Sequence, residues 1–323
     1  MTRSPLNQTA RSPQVSVVIP SFNSAAYINE AIDSALAQTG VEVEVIVVDD
    51  GSSDDTVNCV KRYEDRVRLI EQSNQGSAVA RNRGIAEARA DFIAFLDADD
   101  YWHPQKLAKQ WALVQGGATL VYSRFSVWEP APTGSFPAAE AHLADCQAQG
   151  RMSKTPRSGW LYIDLLLDCE VWTSTVLARR DLLQQVGGFD AALRKGQDYD
   201  LWLKLANEVQ WHGVPESLAL YRMHGNNITR SINANNFEYS ILSNACRRWG
   251  LENRDGRSLP PAVMQARLAR SASAFADAHL QGGSKDIAAR FYRISLSHQP
   301  LAFTVWLNYA RARLRRVEIA GTP

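Results

Sequence analysis

The chain has 323 residues, 45% of them hydrophobic and 21% charged, and carries a formal net charge of +1. That length can bury a full core and accommodates one to three domains. Near neutrality excludes a nucleic-acid binder that works by bulk electrostatics.

Met1–Gln14 is polar, lacks the apolar centre of a signal peptide and reads as a disordered N-terminus. Val15–Ile19 is a β-rich run closed by Pro20. Between Ala25 and Gln38 the apolar positions Ile28, Ala31, Ile32, Ala35 and Leu36 share one helical face. Val43–Val48 is a second strand, ending at Asp49-Asp50-Gly51. Asp54 and Asp55 open a helix through Tyr63, where negative charge suits the helix dipole. Val67–Glu71 is a third strand, Ser77–Ala88 a helix and Asp91–Leu96 a fourth strand. Near-continuous apolar strands separated by helices predict a mostly parallel sheet covered on both faces. Ligands of such sheets bind beyond the carboxyl ends of the strands. Those ends are Pro20-Ser21-Phe22-Asn23, Asp49-Asp50 and Asp97-Ala98-Asp99, so polar chemistry collects on one edge. With no GxGxxG after the first strand, a dinucleotide site is not expected.

The fourth strand, Phe92–Leu96, runs straight into Asp97, Asp99 and Asp100. Three carboxylates within four residues repel one another and lose hydration. A divalent cation such as Mn²⁺ or Mg²⁺, which prefers oxygen ligands, relieves that conflict. The other reading is a solvated turn with Asp100 capping the next helix.

Residues 129–159 are rich in Pro, Ala, Gly and Ser and read as a long mobile loop with one short helix near Ala138–Gln147. Periodicity returns over Trp160–Leu167 and Asp198–Glu208. The last ninety or so residues read as helical, with breaks at Pro260-Pro261, Gly282-Gly283 and Pro300. Cys59, Cys146, Cys169 and Cys246 have neither metal-ligand nor CxxC spacing and read as reduced thiols. No apolar run approaches the ~20 residues that span a bilayer. The expectation is a cytoplasmic protein, at most peripheral on the inner face of the cell membrane.

Several segments, taken in order, resemble glycosyltransferase family 2. They are Val17-Val18-Ile19-Pro20-Ser21-Phe22-Asn23, Val47-Val48-Asp49-Asp50-Gly51-Ser52-Ser53-Asp54-Asp55-Thr56 and Asn74-Gln75-Gly76 with Ala80-Arg81-Asn82-Arg83-Gly84. Phe95-Leu96-Asp97-Ala98-Asp99-Asp100, Gly187-Gly188-Phe189-Asp190, Gln197-Asp198-Tyr199-Asp200-Leu201-Trp202 and Tyr221-Arg222-Met223-His224 follow. The resemblance covers about Val15–Thr229 and implies a GT-A fold that inverts the sugar of a nucleotide-diphosphate donor. It divides the chain into a disordered N-terminus (1–14), a GT-A domain (15–232) and a helical C-terminal extension (233–323).

The resemblance also implies roles. Pro20 and Phe22 face the nucleobase, and Asp50 accepts the imide N–H of uracil; their plain alternatives are a strand-ending turn and an Asx-type turn with Ser52 or Ser53. Asn74 and Arg81 reach toward ribose or phosphate, where a guanidinium forks onto oxygens. Asp99 ligates Mn²⁺ or Mg²⁺, Asp97 contacts the ribose or the metal's waters, and His224 is a further ligand or a structural histidine. Asp198 takes the general-base position, with glutamine at 197 where the family more often has glutamate. Asp198 and Asp200 equally suit a helix N-terminus. Trp172 and Thr173, with Ser174, are candidates for the acceptor wall. The implied partners are a nucleotide-diphospho-sugar, UDP-linked in preference to dTDP-linked, and a glycan or lipid-linked acceptor in cell-surface polysaccharide synthesis.

Phe291, Tyr292, Phe303, Trp306, Leu307 and Tyr309, with Arg311, Arg313, Arg315 and Arg316, form a basic aromatic end. It suits a membrane surface, a helical cap or a homodimer interface. Two other functions compete. A nucleotidyltransferase needs a glycine-rich basic loop where Pro20-Ser21-Phe22-Asn23 stands, and a catalytically inactive binding module has no need of Asp50, Asp97, Asp99 and Asp198 together.

Overall fold

Buried apolar strands and one-sided helices assemble the first hundred residues as their periodicity predicts. The computed structural model describes residues 12–225 and 234–314. Strands β1 (Val15–Ser21), β2 (Val43–Asp49), β3 (Arg68–Glu71) and β4 (Phe92–Phe95) alternate with helices α1 (Ile28–Leu36), α2 (Thr56–Lys61) and α3 (Ser77–Glu87). The four strands pair in parallel, β1 between β2 and β4 and β3 outside β2. Every residue of β1 is buried, as an interior strand covered on both faces must be. Helix α1 buries Ile28, Ala31, Ile32 and Ala35, the i, i+3, i+4, i+7 face. Helix α3 crosses β1 at Gly84, where an added Cβ would stand 2.3 Å from Val18 Cγ1.

Two sequence readings are corrected here. Pro20 lies inside β1, paired with Val48, and does not close it. Val18 O accepts from Leu96 N, so Val18 and, two residues on, Pro20 turn toward β4. The β4 pairing stops at Val18, and no ladder bond is missing at the proline. Gln14, placed in a disordered N-terminus, donates from its N–H to Glu42 O at 2.8 Å and accepts from Glu42 N at 3.1 Å. Residues 1–11 lie outside the described residues.

The chain then leaves the parallel half. After β4 come β5 (Tyr101–Trp102), α4 (Lys106–Gln115), β6 (Leu120–Trp128) and α5 (Ala139–Ala148). They are followed by α6 (Tyr162–Leu167), β7 (Leu177–Arg179), α7 (Arg180–Gln185), α8 (Gln197–Ala206) and β8 (His212–Arg222). The eight strands run in the order β3-β2-β1-β4-β7-β6-β8-β5. Strand β7 is antiparallel to both neighbours, β6 and β8 are parallel, and β5 is antiparallel to β8. The sheet is therefore mixed and mostly parallel, as the resemblance implies.

Residues 129–159 are held along β6 and β8. Trp128 Nε1 donates to Pro137 O, Gln147 Nε2 to Ser217 O, Arg124 Nε to Ser153 O and Tyr122 Oη to Arg157 O. The short helix expected near Ala138–Gln147 is α5, whose inward face is Leu143 and Cys146.

By their contacts the described residues form two compact units, 12–161 with 170–225 and 162–169 with 234–314. The second contains α6 together with α9 (Phe237–Trp249), α10 (Pro261–Gly282), α11 (Lys285–His298) and α12 (Phe303–Arg313). Asn236 caps α9 by accepting from Tyr239 N, Pro261 opens α10, and Ser284 caps α11 by accepting from Ile287 N. Ala272, Ala276, Ala288, Ala289 and Ala312 surround Phe291 and Tyr292 in its core. Phe291 and Tyr292 are thus interior, not part of a basic aromatic surface. The expected boundary at 232/233, Thr229, and Arg315 and Arg316 fall outside the described residues. No described helix is long and apolar enough to cross a membrane.

Candidate active site

The loops that follow β1, β2, β3 and β4 share one edge of the sheet because parallel strands send all their carboxyl ends the same way. In the first loop, Phe22 is 49% exposed, an unusual position for a phenylalanine. Asn23 adopts φ 49°, which asparagine tolerates, and its Oδ1 accepts from Ser53 N at 2.8 Å. Pro20, two residues earlier in β1, is buried.

The Asx-type turn considered for Asp50 belongs to Asp49, which accepts from Ser52 N at 2.9 Å and from Ser52 Oγ. Asp50 points instead to the loop after β3. Its Oδ1 accepts from Gln72 Nε2 at 2.8 Å and Gln75 N at 2.9 Å, and its Oδ2 from Gly76 N at 2.7 Å. This carboxylate is 3% exposed. It fixes the loop carrying Asn74, itself an exposed side chain whose backbone passes close to Gly51. Oδ2, with one donor, retains the acceptor capacity that an imide N–H requires.

Arg81 sits on the buried face of α3 and is 6% exposed. Its Nη2 meets Asp97 Oδ1 at 2.6 Å, and its guanidinium lies 5.3 Å from the Phe189 ring centre. Burial opposes its charge, but Asp97, with Asp198 and Asp99 beyond, outweighs that and raises its pKa. Burial pushes Asp97 up, Arg81 pulls it down and Asp99 pushes it up again; the net direction is upward. Arg81 Nε and Gln197 Oε1 are buried with no hydrogen-bond partner among the described residues. Buried polar atoms are nearly always satisfied, so both mark places where a ligand or water belongs.

Asp100 is the principal correction. It is fully buried and caps no helix. Its Oδ2 accepts from Trp172 Nε1 at 2.7 Å and from Ser174 Oγ, and its Oδ1 from Arg222 N at 3.1 Å. Burial, then Asp99 and Asp97, holds it well above the usual carboxylate range. The same Ser174 Oγ accepts from Asp97 N at 3.1 Å, while neighbouring Thr173 Oγ1 donates to Asp198 Oδ2 at 3.2 Å. One short segment, 172–174, therefore connects the aspartate loop to the candidate base. Thr173 is 2% exposed and its hydroxyl donates to Asp198, so it braces the candidate base and does not form an open acceptor wall. Trp172 is half-buried, anchored through its indole N–H, with Tyr221 at 4.1 Å and Phe125 at 5.9 Å between ring centres.

Asp198 lies in the first turn of α8, half-buried, with Oδ1 on its neighbour's backbone, Tyr199 N. Asp200 pairs with Lys204 one turn later at 2.6 Å, a structural i,i+4 contact. The neutral Gln197 donates from Nε2 to Ser77 Oγ at 2.7 Å, which ties α8 to the start of α3.

His224 Nε2 lies 2.9 Å from Asp99 Oδ2, with its ring stacked on Tyr27 at 4.7 Å. Arg222, whose role the sequence reading missed, donates from Nε to Asp99 O at 2.7 Å. Its guanidinium is enclosed by Trp128, Phe136 and Tyr27 at 3.8, 4.7 and 4.8 Å from their ring centres. An arginine between the apolar run Leu218–Tyr221 and Met223 was the available signal, since arginine is rarely buried unless paired. Among the described residues no group of three or more metal-binding side chains gathers. A carboxylate beside an imidazole fits a divalent cation that takes its remaining ligands from substrate phosphates and water, as Mg²⁺ typically does. It does not fit a closed structural site.

Comparison with known proteins agrees with this layout. The family described as Glycosyl transferase family 2 matches residues 16–174. An uncharacterized glycosyltransferase of Rickettsia prowazekii is 31% identical over 230 residues, covering 70% of this chain and 69% of its own. The succinoglycan biosynthesis protein ExoO of Rhizobium meliloti is 33% identical over 252 residues, covering 74% and 70%. Among solved structures, residues 1–349 of S. aureus TarS in complex with UDP-GlcNAc superpose with TM-score 0.61 at 18% identity over 93% of this chain and 89% of that one. A mannosyltransferase of Pyrobaculum calidifontis with GDP-Man and Mn²⁺ gives 0.54 at 20% identity over 96% and 89%. These two likenesses are likenesses of fold. With relatives matched over more than two thirds of their own length, the chain belongs to glycosyltransferase family 2 and is a glycosyltransferase.

Proposed function

We propose that this enzyme transfers a sugar, with inversion, from a uridine-diphosphate donor to a hydroxyl of a glycan or lipid-linked acceptor in cell-surface polysaccharide synthesis. The observation that carries this reading is the convergence of Asp97, Asp99 and Asp198 around Arg81 and the 172–174 segment, although about a hundred residues separate them in sequence. In the proposed reaction Asp198 removes the proton from the acceptor hydroxyl as that oxygen attacks the anomeric carbon. The bond from that carbon to the diphosphate oxygen breaks, and the electron pair leaves with the diphosphate. Thr173 orients Asp198 by bonding to the oxygen opposite the one on Tyr199 N. Arg81 neutralises Asp97 and turns its unpaired Nε toward the donor. Phe22, Asn74 and the loop fixed by Asp50 form the nucleoside side.

Asp99 and His224 would hold Mn²⁺ or Mg²⁺, which supplies Lewis-acid stabilisation of the leaving diphosphate. Relatives support the substrate classes: ExoO is named for succinoglycan biosynthesis, and the TarS structure contains UDP-GlcNAc.

The test is thermal unfolding with a panel of nucleoside diphosphates and nucleotide sugars, with and without Mn²⁺. A ligand of the folded state adds about 2.7 kcal/mol at a hundred times its dissociation constant. The expected result is a Mn²⁺-dependent shift with uridine compounds that disappears in Asp99→Ala. Asp198→Asn should keep that shift and lose about 10²–10⁴-fold in transfer rate. Full transfer by Asp198→Asn would remove the base assignment, and a retained anomeric configuration in the product would overturn inversion. Folded protein that responds to no nucleotide would favour the binding-module reading.

A further inference from the structure

Helix α12 carries two apolar faces, and among the described residues only one is covered. Val305, Tyr309 and Ala312 turn inward onto the core of the second unit. Phe303, Trp306, Leu307, Ala310 and the C-cap residue Leu314 follow one another at i, i+3, i+4, i+7 and i+11 and form a second stripe on the opposite side. Phe303 is 71% exposed, Trp306 49%, Leu307 47% and Leu314 67%, and Leu301 just before the helix is 97% exposed. Nine large hydrophobics are exposed among the described residues, and five of them lie in residues 301–314. Such clustering, unlike scattered single residues, marks an interaction surface.

The charge around this stripe identifies the partner. Arg311 and Arg313 are both exposed and flank it on either side, since 3.6 residues per turn places them about 80° from its centre in opposite directions. The helix contains no acidic residue, and the sequence continues with Arg315-Arg316. An apolar stripe with basic flanks and an aromatic residue beside it matches a headgroup layer above acyl chains. A symmetric contact between two copies would instead set one basic rim against another.

We propose that the outer face of α12 docks on an anionic lipid surface, with Phe303, Trp306, Leu307 and Leu314 entering the acyl boundary and Arg311 and Arg313 contacting headgroup phosphates. This inference is independent of the donor assignment. The experiment is flotation of the full-length protein with phosphatidylcholine vesicles, with and without phosphatidylglycerol, at low and high salt. The protein should float only with phosphatidylglycerol, and high salt should release it. Phe303→Ser/Trp306→Ser/Leu307→Ser should abolish flotation with an unchanged circular dichroism spectrum. Arg311→Gln/Arg313→Gln, which leaves the apolar face intact, should weaken it about five-fold per arginine. Absence of flotation with phosphatidylglycerol, or flotation unchanged in both variants, overturns the proposal. A dimer in solution that the triple-serine variant dissociates, with no vesicle binding, assigns the face to a second copy instead.

Discussion

Replacing Asp100 by asparagine removes one of its two oxygens while leaving the shape of the side chain, and the structure determines what that change costs. Two donors, Trp172 Nε1 and Ser174 Oγ, converge on Oδ2, and a third, Arg222 N, reaches Oδ1. An amide has one acceptor oxygen, so asparagine cannot serve both sides. With its oxygen toward Trp172 and Ser174, its NH₂ opposes Arg222 N–H; after a flip it opposes the indole N–H. Either way one buried donor goes unsatisfied, at about 1–3 kcal/mol. The net expectation for Asp100→Asn is a destabilisation of about 1–3 kcal/mol. Asp100→Ala strands all three donors and should cost about 3–5 kcal/mol, toward the low end for three unsatisfied buried groups. Urea unfolding of the wild type, both variants, Trp172→Phe and the Asp100→Asn/Trp172→Phe double variant measures these values. The double variant should lose less than the sum of the two single changes, because without the indole N–H the asparagine can turn its oxygen to Arg222 N and its NH₂ to Ser174 Oγ, leaving no buried donor unsatisfied. If Asp100→Asn unfolds at the wild-type midpoint, or the two changes add fully, the carboxylate does not hold the 172–174 segment and the reasoning fails.

Thr173→Val keeps the volume and removes the hydroxyl on Asp198 Oδ2; kcat for sugar transfer should fall about ten-fold, the equivalent of ~1.4 kcal/mol, with the donor KM unchanged. A raised donor KM at constant kcat would instead place Thr173 on the binding side. Lys106 gives a pH prediction. It is fully buried, with Nζ 2.9 Å from Gln110 Oε1 and 3.9 Å from the centre of the Trp102 ring, and burial lowers its pKa well below that of a free lysine. Between that lowered value and the ordinary 10.5 the unfolded chain binds the extra proton, so stability should rise with pH through this window. Lys106→Met should lose that rise in urea unfolding measured across alkaline pH, and an unchanged slope would show that Lys106 does not titrate differently in the two states.

The parallel half of the sheet was legible because its signals are local. Strands β1, β2 and β4 are short buried runs, and α1 and α3 repeat at helical spacing, so each could be read within a window of about 15 residues. The positions of Asp97, Asp99 and Asp198 followed from strand ends and from the family resemblance. Strands β5, β7 and β8 gave no comparable signal. β5 has two residues, β7 has three, and β8 bends through register shifts opposite Ser123–Phe125. Asp100 resembled a capping residue because its partners lie 72, 74 and 122 positions away. Thr173 looked like an open wall for the same reason, since its bond to Asp198 spans 25 residues. The pattern of apolar residues predicts which groups are buried, but not which distant donors meet them.

The placement of β5 beside β8 has a consequence for how the enzyme is made. The aspartate loop joins β4, near the middle of the sheet, to β5 at its far edge, where Tyr101 and Trp102 pair with Leu220 and Ala219. Asp99 then takes its contacts from Arg222 and His224, and Asp100 one of its three from Arg222, across 122 to 125 residues. A nascent chain that has emerged only as far as the loop therefore holds the Arg81–Asp97 pair without the contacts of Arg222 and His224. At 5–20 residues per second a ribosome needs roughly 6–25 s to supply the missing strand. Throughout that interval Asp99 lacks its contacts with Arg222 and His224, which form only when β8 has been made and pairs with β5.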